Sequence, residues 1–138
     1  MASKPRSSLR PPNEERSVSV CDIFTFCELI TDLRNRGPQG YYEHRVSLFE
    51  YFNKGQLYVQ KTKLKEKGME TWCDDVVPGF CVYNEEESIV FLWTRMDWWH
   101  RGIARQFVEY FAVKHVVEVL ERSKEFWDIM GVKYDRVV

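Results

Sequence analysis

The stretch SIVFLWTRMDWWHRGIARQFVEYF at 88–111 constrains the fold more than any other part of the chain, because its apolar period changes in the middle. Up to Met96 it reads as a β-type run. From Gly102 the apolar residues fall into helical rows, Ile103, Phe107 and Phe111 in one and Ala104 and Val108 beside it. This helix is expected to end near His115, and VVEVL then reads as a further strand. A strand that turns through a glycine into a helix and on to another strand is a crossover unit. The segment 88–120 is therefore expected to supply a parallel strand pair.

The remaining elements fit around that unit. SVSVC reads as a short strand. DIFTFCELITDLRNRG places Ile23, Phe26, Cys27, Ile30 and Leu33 on one helical face, with Gly37 and Pro38 as a stop. YYEHRVSLFEYFNKG reads as one helix with Tyr42, Val46, Phe49 and Phe52 on a face and Gly55 just past its end. QLYVQKTKL alternates as a strand, and KEKGMETWCDD is a polar loop. VPGFCVYNEEESIVFLWTRM is two strands around a turn at 84–88. SKEFWDIMG is a short helix closed by Gly131, and VKYDRVV is a last strand. No internal repeat or second domain is visible. The order β-α-α-β-β-β-α-β-α-β specifies one α/β domain over 17–138, preceded by a Ser-, Pro- and charge-rich tail at 1–16.

Composition narrows the function classes. Lys and Arg total 20 against 21 Asp and Glu, a net charge of −1, so no basic excess argues for nucleic acid or a membrane surface. No apolar run approaches the roughly 20 residues that span a bilayer, and the basic start (Lys4, Arg6, Arg10) has no apolar stretch behind it, unlike a secretory signal. Cys21, Cys27, Cys73 and Cys81 lack the paired spacing of a zinc site, and His44, His100 and His115 do not complete one. No metal is expected. Cys21 and Cys27 read as small core hydrophobes, and reduced thiols suit the cytoplasm or nucleus.

The chemistry-bearing signal is at Gly102. The first N–H groups of a helix lack intrahelical partners and carry the positive end of the dipole, which makes a phosphate site where backbone can approach closely. Gly102 and Ala104 permit that approach, and Arg101 adds a cation at the rim. The same two small residues also serve a helix that simply packs tightly on its sheet. Trp93, Trp98 and Trp99 suit a core, a cleft rim or a contact patch. The carboxylates at 85–87, like Asp74 and Asp75, read as solvated tips or as attractors of a cationic acceptor.

The chain resembles the GCN5-related N-acetyltransferase (GNAT) family, whose signature R/Q-x-x-G-x-G/A lies between the fourth strand and the next helix. Trp99, His100, Arg101, Gly102, Ile103 and Ala104 align with it. The family's late motif, A-x-x-F-Y-x-x-x-G-F, is matched at Ser123, Phe126, Trp127, Gly131 and Val132. The resemblance implies a mixed, mostly antiparallel sheet with flanking helices and a central splayed parallel pair holding acetyl-CoA as cosubstrate. Its pyrophosphate would lie on the amides of Arg101, Gly102, Ile103 and Ala104, and its pantetheine would pair with the strand end at Trp93, Thr94, Arg95 and Met96. An amine of a small molecule or protein would receive the acetyl group, with a base and an acid moving protons. Two positions depart from the pattern. Trp99 stands where the family has Arg or Gln, and Trp127 stands where a tyrosine protonates the thiolate; an indole N–H has no usable pKa for that work. The family's glutamate base aligns with Ser88, next to Glu87. Glu87, Tyr83 and His100 are the candidate proton carriers, with Cys81 a further one if it faces the cleft. The alternative to an acetyltransferase is a catalytically inactive module of the same fold that still holds CoA.

Overall fold

The computed structural model describes residues 14–35, 39–64 and 75–138. In order these are strand β1 (Glu14–Val20), helices α1 (Ile23–Asn35), α2 (Gln39–Glu43) and α3 (Arg45–Asn53), and strands β2 (Leu57–Leu64), β3 (Asp75–Asn84) and β4 (Ser88–Thr94). They are followed by α4 (Ile103–Tyr110), β5 (His115–Val119), α5 (Lys124–Met130) and β6 (Lys133–Val137). The stop at Gly37 and Pro38, Cys73, Asp74 and most of the expected loop before β3 lie outside the described residues. So do residues 1–13 of the expected tail; Glu14, Glu15 and Arg16 belong to β1.

Strands β1 to β4 form an antiparallel sheet in that order, and β5 and β6 form a separate parallel pair. Two details of register fix which way β4 faces. Arg95 N–H donates to Pro78 C=O at 2.8 Å, and Phe80 lies opposite Trp93 and Val82 opposite Phe91. Antiparallel pairs alternate, so Phe91, Trp93 and Arg95 spend their main-chain groups on β3. Leu92 and Thr94 aim theirs at the outer edge. Their side chains alternate too. Phe80, Val82 and Trp93 join Phe26, Leu29, Leu33 and Leu48 in a core under α1 to α3. Cys81, on the opposite face, joins Ile103, Phe107, Val116, Trp127 and Val132 in a core under α4, α5 and the β5–β6 pair. The sheet is thus covered on both faces, which is why Leu57, Val59, Gln60 and Thr62 of β2 are all buried.

Several expectations need correcting. The expected parallel partner of β4 was β5, but β5 lies alongside β4 without a ladder, and the parallel ladder joins β5 to β6, with His115 opposite Lys133. The edge carbonyls of β4 accept from side chains instead, as described below. Helix α4 stops at Tyr110, short of His115. Ala112 takes a left-handed φ of +51°, and Val113 N–H reaches back to Val108 C=O while Ala112 N–H bonds Glu109 C=O. This is a Schellman ending with alanine where glycine is usual, so the sequence carries no stop signal there. The expected single second helix breaks at His44 into α2 and α3; the break re-phases the stripe, burying Leu48 and leaving Val46 and Phe49 exposed. On α1 the buried stripe is Thr25, Phe26, Leu29 and Leu33, so Ile23 and Cys27 fall outside it. Among the described residues no helix is long and apolar enough to cross a membrane.

Candidate functional site

The chain leaves β4 through a tightly fixed loop. Arg95 makes a bidentate contact with Asp97, 2.7 and 3.1 Å, and its guanidinium also lies 3.9 Å from Asp32 of α1. A single 3-10 turn follows at Met96–Trp98. Trp98 is buried in the α4-side core, and the Arg101 guanidinium lies over its ring at 4.7 Å. His100 and Gly102 both take positive φ, +65° and +82°. Left-handed backbone suits glycine, which has no Cβ to clash with the following carbonyl. Gly102 is the N-cap of α4, its carbonyl accepting from Gln106 N–H at 3.0 Å, and no side chain caps the helix. The first amides of α4 are left for a ligand or water.

Two contacts seat this helix start. Arg16, only 9% exposed, reaches from β1 to donate an Nη1 hydrogen bond to Arg101 C=O at 2.6 Å. A guanidinium charge is thereby fixed against the loop. Gly79 of β3 lets the first turn of α4 approach the sheet, since a Cβ there would stand 2.5 Å from Trp93 C=O and 2.9 Å from Ile103 Cγ2. Sequence reasoning missed both residues, because the Arg16 contact spans 85 positions and Gly79 carries no motif.

The outer edge of β4 continues from the loop. Thr94 C=O accepts from Trp99 Nε1 at 3.0 Å, and Leu92 C=O accepts from the Tyr41 hydroxyl, also at 3.0 Å. Tyr41 packs edge-on against Phe80 and Phe91. Burial pushes its pKa above the ordinary tyrosine value, and the nearby Arg122 charge, in the turn after β5, opposes that rise.

The structure brings together Thr94, Trp99, His100, Arg101, Gly102, Ile103 and Ala104 at the loop, but several play other parts than expected. The side chain of Trp93 is buried on the opposite face beside Phe80, and Trp93 and Arg95 have their main chains turned to β3. Of the expected pantetheine-pairing residues, only Thr94 presents an outward edge, with Leu92 as its neighbour. Met96 is exposed and Ile103 is buried in the core. Trp99, expected at the first position of the phosphate loop, instead turns its indole N–H onto the β4 edge at Thr94 C=O. Trp127 is 6% exposed and sits in the α4-side core against Phe126.

The three candidate proton carriers do not converge. Glu87 is exposed at the hairpin tip, its own N–H held by Asn84 Oδ1 at 2.7 Å. Tyr83 stacks on Phe111, ring centroids 4.1 Å apart, beyond the C-terminal end of α4. His100 is exposed at the opposite end of both elements; β4 alone spans about 20 Å. Cys81 is fully buried, and burial raises its thiol pKa. Among the described residues no cluster of three His, Cys, Asp or Glu is placed to hold a metal ion.

Comparison of the chain with protein-family models, curated proteins and solved structures finds no match.

Proposed function

We propose that the protein is an acyl-CoA-dependent N-acetyltransferase of GNAT-like build, acting in the cytoplasm on an amine of a small molecule or protein. The observation that carries this reading is the left-handed Gly102 at the start of α4, directly beside an outward β4 edge that β5 leaves unpaired. The residues suit acetyl-CoA. The uncapped amides of α4, the Arg16 charge behind the loop and Arg101 at its rim favour a pyrophosphate. Leu92 and Thr94 offer main-chain groups to an extended, amide-bearing arm, which would replace the side-chain donors now on them. Acetyl-CoA would supply the activated acyl carbon, and the chain's own residues would orient it along the β4 edge.

The separation of Glu87, Tyr83 and His100, with Trp127 in the core, favours a second reading in which the same cleft holds CoA without chemistry. Release of free CoA thiol from acetyl-CoA across a panel of amines tests the pair. Amine-dependent release above the spontaneous rate supports the enzyme. Binding of acetyl-CoA with release at the spontaneous rate supports the silent module.

A further inference from the structure

What the start of α4 can hold depends on where its amides point, and their carbonyls fix that. In a trans peptide unit the C=O and N–H lie in one plane and point in opposite directions. The Gly102–Ile103 unit is pinned within the helix, because Gly102 C=O accepts from Gln106 N–H at 3.0 Å. The Arg101–Gly102 unit lies before the first helical residue, and its carbonyl is held from the sheet instead. Arg16 Nη1 of β1 donates to Arg101 C=O at 2.6 Å. Gly102 N–H is thereby turned away from β1, and neither it nor Ile103 N–H meets an acceptor among the described residues. Arg16 is itself firmly seated, since its side chain is buried and its strand partner Thr62 is buried too.

We propose that Arg16 is a positioning residue that presents and strengthens the Gly102 N–H for the pyrophosphate of the acyl donor; this rests on the acetyltransferase reading. A guanidinium holds a carbonyl harder than a neutral donor does. By drawing electron density onto the carbonyl oxygen it also polarises the amide across the same peptide unit, so Gly102 N–H becomes a better donor to an anion. The left-handed Gly102 leaves no Cβ beside that amide to hold the anion off. The consequence is selectivity among acyl donors. A donor that carries a pyrophosphate, such as acetyl-CoA, gains from Arg16. A donor that ends at the pantetheine hydroxyl, such as S-acetylpantetheine, gains nothing from it.

The test compares the parent with Arg16→Met, which keeps an apolar stem but loses the donor and the charge, and with Arg16→Lys, which keeps both. Each protein is labelled with isotopic glycine, so that the amides of its seven glycines are read one by one. Signals of Gly79 and Gly131 that stay in place in the ligand-free variants show that the fold is kept; where Arg16→Met does not fold, Arg16→Gln takes its place. Calorimetry measures the affinity for acetyl-CoA and for S-acetylpantetheine, and the Gly102 amide proton is followed to saturation with acetyl-CoA. The expected dissociation constant for acetyl-CoA is raised about tenfold in Arg16→Met and stays within about threefold of the parent in Arg16→Lys. S-Acetylpantetheine is expected to separate the parent from Arg16→Met by no more than about twofold, because it makes no phosphate contact. The Gly102 proton is expected to move downfield on saturation of the parent, and to move less in Arg16→Met. An unchanged dissociation constant, the same Gly102 movement in parent and variant, or an equal loss with both ligands overturns the Arg16 assignment and leaves the acetyltransferase reading standing. A parent protein that binds no acetyl-CoA overturns the reading and Arg16's role together.

Discussion

Gln60 is fully buried in the middle of the sheet, and its Nε2 donates to Gln106 Oε1 on α4 at 2.7 Å. This contact ties β2 to the helix that begins at Gly102. Gln60→Leu leaves the half-buried Gln106 amide without that partner, so urea unfolding is expected to show a loss of about 1–3 kcal/mol. Thiols give a second readout at this scale. Cys21 is buried and its pKa is pushed up to about 12, mainly by burial; Cys81 is raised by the same cause; Cys27 is exposed on α1. Because the thiolate is the nucleophile, alkylation of the folded protein near pH 7.5 should modify Cys27 at least about 10²-fold faster than either of the other two. Peptide mapping checks this, and equal rates would contradict the packing of both buried thiols. The sequence read Cys27 as core because it lies four residues after Ile23, a spacing that is real but falls on the outer side of α1.

The elements themselves were legible, since each apolar period and most of the stops were in the sequence. What was not legible was phase and ending. Helix α1 is set by Asp22, whose Oδ1 accepts from Thr25 N–H at 2.7 Å while its carbonyl accepts from Phe26 N–H at 2.9 Å. That cap starts the helix at Ile23, and the face packed in the core carries Phe26, Leu29 and Leu33 rather than Ile23. Asp22→Ala should cost about 1 kcal/mol, and Asp22→Asn should retain most of the cap. Hydrogen bonds from the Thr25 backbone N–H and from the Thr25 side chain hold the Asp22 carboxyl below its ordinary pKa. A lowered folded-state pKa means the stabilisation is present above the unfolded value and is lost as pH falls through the folded one. The advantage of the parent over Asp22→Asn should therefore shrink in acid; an advantage that grew there would contradict this cap. The end of α4 was illegible for a different reason, since Ala112 adopts a conformation that alanine rarely takes.

At the scale of the whole molecule, the sequence showed the loop of the site but not what holds it. Gly102 was visible because a change of period and a glycine coincide. Arg16, Tyr41 and Gly79 were not, because their roles arise from contacts across the sheet, 85 and 51 positions apart for the first two. Gly79 seats α4 on β3, so Gly79→Ala is expected to destabilise by about 1–3 kcal/mol and to weaken acetyl-CoA binding, as the added methyl pushes Ile103 and with it the first turn of α4 away from the sheet.

The claim that joins these scales is that the start of α4 holds the pyrophosphate of CoA. Calorimetric titration of acetyl-CoA into the parent and into Gly102→Glu tests it most directly. The substitution puts a side chain on left-handed backbone and a negative charge against the phosphates, and circular dichroism confirms that the variant is folded. The account expects saturable binding by the parent and a dissociation constant raised by at least about tenfold in the variant, the equivalent of roughly 1.4 kcal/mol. No binding by the parent, or the same dissociation constant in a folded variant, would contradict it.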